Sequence, residues 1–120
     1  MEKKVLIIDD DPTSNTLVSF LLKTNGIDSI LASDGEEGLA KANREKPDLI
    51  VLDIMMPKMD GYTFLRKLKQ INFLNIPPVV MLTSKDQMAE TFRLEGVADY
   101  FVKPLDTKKF LKRIQQILKV

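Results

Sequence analysis

The chain has 120 residues, 44% of them apolar, with 18 Lys and Arg against 17 Asp and Glu for a net charge of +1. These values suit one folded domain and exclude both disorder by composition and bulk attraction to nucleic acid. There is no Cys and no His, so disulfides, thiolate or imidazole catalysis, Cys- or His-ligated metals and a phosphohistidine on this chain are excluded, leaving carboxylates, lysines and hydroxyls.

The first apolar run, Val5–Ile8, is too short for a signal-peptide core and is followed by three aspartates rather than small cleavage-site residues. No stretch approaches the roughly 20 apolar residues of a membrane span, so a cytoplasmic location without membrane insertion is expected. Asp11 can cap a helix with Pro12 at its first position. Leu17, Val18, Leu21 and Leu22 share its apolar face, and Gly26 closes it. A weaker run at Ile30–Leu31 precedes Asp34, which can cap a second helix reaching about Glu45. The run Leu49–Leu52 follows, and Gly61 precedes a third helix carrying Phe64, Leu65, Leu68 and Ile71.

Val79–Leu82 is the fourth strand, a fourth helix is predicted from about Asp86 to Glu95 before Gly96, and Tyr100–Val102 is a weaker strand. The last helix follows Pro104 with an apolar stripe of Phe110, Leu111, Ile114, Ile117 and Leu118. Lys108, Lys109, Lys112, Arg113 and Lys119 lie largely outside that stripe. Without interleaved aromatics they read as a solvated face, and no direct nucleic-acid contact is expected.

Continuous rather than alternating apolar runs indicate strands buried on both faces. Five βα units of this kind predict a single domain over residues 1–120. Its fold class is α/β: a doubly wound, five-stranded parallel sheet in the order 2-1-3-4-5, with five helices on its two faces, a flavodoxin-like (βα)5 arrangement. In such sheets ligands sit beyond the carboxyl ends of the strands, where the winding reverses. The residues closing the runs are Asp9-Asp10, Asp53, Thr83-Ser84 and Lys103. Strands one and three are neighbours at the reversal, so Asp9, Asp10 and Asp53 converge. Three clustered carboxylates repel one another unless they share a cation, and an all-oxygen set with room for water suits Mg²⁺ or Mn²⁺. Asp53 precedes no helix it could cap, and the proline after Lys103 fixes that lysine at a strand end facing the carboxylates. A cation cage, a nucleophilic carboxylate, a hydroxyl and a lysine are the parts needed for phosphoryl transfer to an aspartate.

The ordered set Val5-Leu6-Ile7-Ile8-Asp9-Asp10-Asp11-Pro12, Leu52-Asp53-Ile54-Met55-Met56-Pro57-Lys58-Met59-Asp60-Gly61, Met81-Leu82-Thr83-Ser84 and Asp99-Tyr100-Phe101-Val102-Lys103-Pro104 resembles the receiver domain of bacterial two-component response regulators. That family also has the strand order expected above. The resemblance implies that Asp53 is the phosphoacceptor and that Asp10 and Asp53 hold Mg²⁺ directly. Asp9 would act largely through water, and the Met55 backbone carbonyl would complete the ligands. It further implies that Lys103 pairs with phosphoryl oxygens and that Thr83 and Tyr100 are the switch residues. Ser84 would give the phosphoryl donor access, and the Lys103–Pro104 bond would be cis. Met55 and Lys85 occupy positions thought to tune loss of the phosphoryl group.

The implied donor is a phosphohistidine on a sensor histidine kinase or histidine phosphotransfer protein, docking through helix one and the loops around the site. The implied output is a downstream protein target, bound through the face of helix four, strand five and helix five, by a monomer or a phosphorylation-dependent dimer. Met88, Phe92, Tyr100 and Lys108 are candidates for that face, with core packing the competing role for Phe92. Because the chain ends with its last predicted helix, it is expected to be either a stand-alone regulator, the favoured reading, or the N-terminal receiver of a longer protein.

Two rival readings exist. Asp9-Asp10-Asp11-Pro12-Thr13 also fits the opening motif of haloacid-dehalogenase-type Mg²⁺ phosphatases, with Asp9 as nucleophile, Asp11 as acid/base, Thr83 or Ser84 as the second motif and Lys103 as the third. That reading leaves Asp53 and its Met-Pro-x-Met-Asp-Gly segment idle, and only Asp106 follows Lys103 where an acidic pair is needed. The other rival is a non-phosphorylated interaction domain of the same fold, although pseudo-receivers usually lose part of the acidic set or the lysine, and this chain keeps both.

Overall fold

Each described helix opens on an aspartate whose side chain accepts a hydrogen bond from a backbone N–H of the first turn. Asp11 accepts from Thr13 (3.0 Å), Asp34 from Glu37 (2.8 Å), Asp60 from Thr63 (2.8 Å) and Asp106 from Lys109 (3.2 Å). Such a cap contributes about 1 kcal/mol and sets where the chain turns into the helix. Gly26, at φ 77°, supplies the left-handed turn that leads from the first helix into the second strand.

The computed structural model describes residues 2–53, 59–71, 76–84 and 97–120. Its elements are β1 (Lys4–Ile8), α1 (Pro12–Lys23), β2 (Asp28–Ala32), α2 (Gly35–Glu45), β3 (Leu49–Asp53), α3 (Gly61–Ile71), β4 (Val79–Thr83), β5 (Val97–Val102) and α4 (Thr107–Leu118). The helix expected over residues 86–95 lies outside the described residues, so the C-terminal helix is numbered α4. The strands form one parallel sheet of five in the order β2-β1-β3-β4-β5, the doubly wound topology anticipated from the alternation of elements.

Alternate side chains of the central strands feed two separate cores, which is why their sequences are continuously apolar. Leu6, Ile8, Ile50, Leu52 and Met81 point to one side, packing with Phe64, Leu65 and Leu68 of α3. Val5, Ile7, Val51, Val80 and Leu82 point to the other, against Val18 and Leu22 of α1 and Phe110, Ile114 and Leu118 of α4. The Phe110 ring meets Phe101 of β5 edge to face at 5.4 Å, a favoured aromatic geometry. On the first side α2 approaches β1 so closely that a Cβ on Gly38 would lie 2.5 Å from the Ile8 Cδ1.

Two helix faces differ from expectation. Leu17, assigned to the buried face of α1, is 58% exposed, and the buried stripe is Asn15, Val18 and Leu22. Spacings of three and four residues put these on one side of a helix, whereas Leu17 lies one step, about 100°, around from Val18. Ile71, at the end of α3, is also exposed. The apolar stripe of α4 is as read, and Lys108, Lys109, Lys112 and Lys119 are exposed outside it.

Candidate functional site

The pairing of Ile8 with Leu52 brings the next residues, Asp9 and Asp53, alongside each other at the carboxyl ends of β1 and β3. Thr83 closes β4 opposite Val102, and its carbonyl accepts the Lys103 N–H at 2.8 Å, so Lys103 leaves β5 at the same end of the sheet. The strand ends thus gather groups that are 50 and 94 residues apart in the chain.

Carboxylate oxygens of Asp9, Asp10 and Asp53 all lie within 4.8 Å of one another. Asp9 and Asp53 are buried and Asp10 is exposed. Lys103 Nζ stands 3.1 Å from Asp9 Oδ2 and 3.1 Å from Asp53 Oδ2. Burial alone would lower the Lys103 pKa, but hydrogen bonds and charge from Asp53 and Asp9 outweigh it and hold the ammonium above its ordinary value. The other Asp9 oxygen accepts the Asp11 N–H at 2.9 Å, so both of its oxygens have protein donors. The Asp10 carboxylate has no hydrogen bond or ion pair among the described residues and is open to solvent. Three oxygen donors at this spacing, one solvent-facing, fit a hard divalent cation that keeps several waters, as Mg²⁺ does.

Thr83 is buried, and its hydroxyl donates to the Ser84 carbonyl at 3.2 Å, while Ser84 itself is exposed. Tyr100 is half-buried against the core on the α3 side. Burial, then the charge of Asp99 and the proximity of Tyr62, raise its pKa. The Lys103–Pro104 peptide bond is cis. Asp11 caps α1 and also accepts from the Ser14 hydroxyl at 3.3 Å. Met55, Lys85, Met88 and Phe92 lie outside the described residues.

One residue beside the site was absent from the sequence reading. Asn15 is buried in α1, and its Nδ2 donates to the carbonyls of Asp9 (2.7 Å) and Ala32 (3.3 Å). Its signal was available: it stands three and seven residues before Val18 and Leu22, the polar member of an otherwise apolar stripe.

An acidic, lysine-bridged pocket thus sits at the winding reversal of a doubly wound parallel sheet, where sheets of this class bind their ligands. A family model for the response regulator receiver domain matches residues 5–115, and the chain belongs to that family, whose members are signalling modules of two-component systems. It is 44% identical over 121 residues to the alkaline phosphatase synthesis transcriptional regulatory protein PhoP of Bacillus subtilis, covering 99% of this chain and 50% of that protein. Protein PilH of Pseudomonas aeruginosa is 34% identical, with 96% of this chain and 97% of that protein covered. Among solved structures, chemotaxis protein CheY4 of Vibrio cholerae superposes with a TM-score of 0.84 at 31% identity, covering 98% of this chain and 99% of that one. The chain therefore spans about half the length of PhoP and nearly all of PilH.

Proposed function

We propose that the chain receives a phosphoryl group from a phosphohistidine of a histidine kinase or phosphotransfer protein onto Asp53, with Mg²⁺ (or Mn²⁺) as cofactor, in the cytoplasm. The observation that carries this reading is the placement of Asp53, 7% exposed, beside the carboxylates of Asp9 and Asp10 and 3.1 Å from the ammonium of Lys103.

An Asp53 carboxylate oxygen attacks phosphorus as the P–N bond to the donor imidazole breaks, the bonding electron pair leaving with the imidazole nitrogen. An ionised carboxylate needs no general base. Asp10 and Asp53 would hold the cation directly with the Met55 carbonyl. Asp9, both of whose oxygens have protein donors, would act through water. The bound cation supplies neutralisation of charge on the phosphoryl oxygens. Lys103 pairs with one of those oxygens, the Thr83 hydroxyl turns to donate to another, and exposed Ser84 leaves the approach open. Movement of Thr83 lets Tyr100 reorient, and the surface of β5, α4 and the segment between β4 and β5 changes for a downstream protein target. Phosphorylation supplies the free-energy difference between the two conformers.

The donor docks on α1. Leu17 and Phe20, 58% and 66% exposed, form an uncharged apolar patch beside a groove between α1 and the segment from Lys103 to Thr107. The phosphatase alternative is weakened by Asp11, whose oxygens cap α1 instead of standing free as an acid/base.

Acetyl phosphate or phosphoramidate with Mg²⁺ should add one phosphoryl group by intact mass, absent from Asp53→Ala. An unmodified wild-type chain would refute the proposal, and unimpaired labelling at Asp9 in Asp53→Asn would favour the phosphatase.

A further inference from the structure

Asn15 is a polar residue where packing alone calls for an apolar one. Its amide nitrogen spends both hydrogens on backbone carbonyls, those of Asp9 and Ala32, and its Oδ1 is buried with no hydrogen-bond partner among the described residues. The reverse amide orientation would place an oxygen against two carbonyl oxygens, so the donors decide it. An unsatisfied buried acceptor is unfavourable, a cost that leucine, of similar branched shape, would not incur. The role of Asn15 lies in the two bonds it makes.

We propose that Asn15 is a positioning residue for divalent-cation binding, holding the Asp9–Asp10 peptide so that the Asp10 carboxylate is preset for the cation. This deepens the receiver reading and rests on it. The Asp9 N–H already donates to the Ala32 carbonyl at 3.1 Å. The 2.7 Å bond from Asn15 to the Asp9 carbonyl then fixes the plane of the next peptide, and with it the Asp10 N and Cα. Asp10 is exposed, and its carboxylate has no protein partner among the described residues. Its direction is therefore inherited from that peptide. Groups one step behind a metal ligand commonly control affinity in this way.

The test compares wild type with Asn15→Leu, which keeps the branched shape and removes both donors, and Asn15→Ser, whose hydroxyl can replace one. Thermal unfolding reports folding, calorimetric titration with MgCl₂ at constant ionic strength reports cation affinity, and the acetyl phosphate reaction is followed against Mg²⁺ concentration. A folded Asn15→Leu should bind Mg²⁺ about tenfold more weakly, with Asn15→Ser intermediate. Its phosphorylation rate should fall at low Mg²⁺ and return close to wild type at saturation, because Asn15 touches no reacting atom. Unchanged Mg²⁺ affinity in folded Asn15→Leu overturns the inference and leaves the receiver reading intact. If neither variant folds, Asn15 serves folding only and the inference fails. A wild-type chain that takes up neither Mg²⁺ nor phosphoryl overturns both.

Discussion

Lys103 Nζ lies 3.1 Å from Asp53 Oδ2, and the same ammonium reaches Asp9 Oδ2 at 3.1 Å. One cation thus spans two buried carboxylates contributed by β3 and by the chain just after β1, while the third member of the acidic set, Asp10, faces solvent. Removing the bridge leaves two neighbouring buried carboxylates without it, an arrangement that strongly favours an added cation. Lys103→Met should therefore be less stable than wild type without Mg²⁺ and gain more in melting temperature on adding it, by mass action. It should also lose phosphoryl uptake from acetyl phosphate. Equal Mg²⁺ shifts in the two proteins would contradict this.

Asp53→Asn tests the same electrostatics from the other side. Three carboxylates against one lysine leave an excess of two formal negative charges at the site, and the substitution halves that excess. The variant should melt higher than wild type without Mg²⁺, show a smaller Mg²⁺ shift, and gain no phosphoryl group by intact mass.

The alkaline limit of stability should carry the signatures of Lys103 and Tyr100. Both pKa values are raised in the folded chain, so above about pH 10 the folded state binds more protons than the unfolded one and stability falls as pH rises. Below that range their contribution is fully present. Chemical denaturation from pH 8 to 11 should show a shallower decline for Lys103→Met and for Tyr100→Phe than for wild type; parallel curves would rule out both contributions.

Gly38 is held by proximity, not by backbone conformation. Alanine is favoured over glycine in a helix by about 1 kcal/mol, yet its Cβ would stand 2.5 Å from Ile8 Cδ1, and overpacking of a core typically costs about 1–3 kcal/mol. Gly38→Ala should therefore destabilise. Ile8→Val removes the obstructing methyl, so the second substitution should cost less in that background, and a double-mutant cycle by urea unfolding measures the coupling. Additive effects would show that the helix simply shifts.

Phe20→Asp separates docking from chemistry. Phe20 is 66% exposed, and exposed substitutions usually change stability by no more than about 0.5 kcal/mol. Phosphoryl uptake from acetyl phosphate should be unchanged. Transfer from a cognate phosphohistidine protein should slow, chiefly through weaker binding, seen as a raised KM. A normal protein-to-protein rate would place the donor elsewhere.

Much of this protein is legible residue by residue because the signals are local. Asp11 and Asp34 at two helix starts, Gly26 at the end of α1 and apolar runs ending in Asp9, Asp53, Thr83 and Lys103 each depend on a few neighbours. A run such as Val5–Ile8 also declares that both its faces are covered, which with right-handed crossovers leaves few topologies. Tertiary structure decided what depends on how whole elements are rotated and stacked. Three leucines and a valine crowd one half of α1, and its packing on β1 and β2 selected Asn15, Val18 and Leu22 for burial and left Leu17 and Phe20 exposed. Three aspartates and a lysine could be placed at one end of the sheet from sequence. That Lys103 bridges Asp9 and Asp53 while Asp10 stays open to solvent depends on angstrom-scale positions set by strand register across 94 residues, which no local pattern encodes.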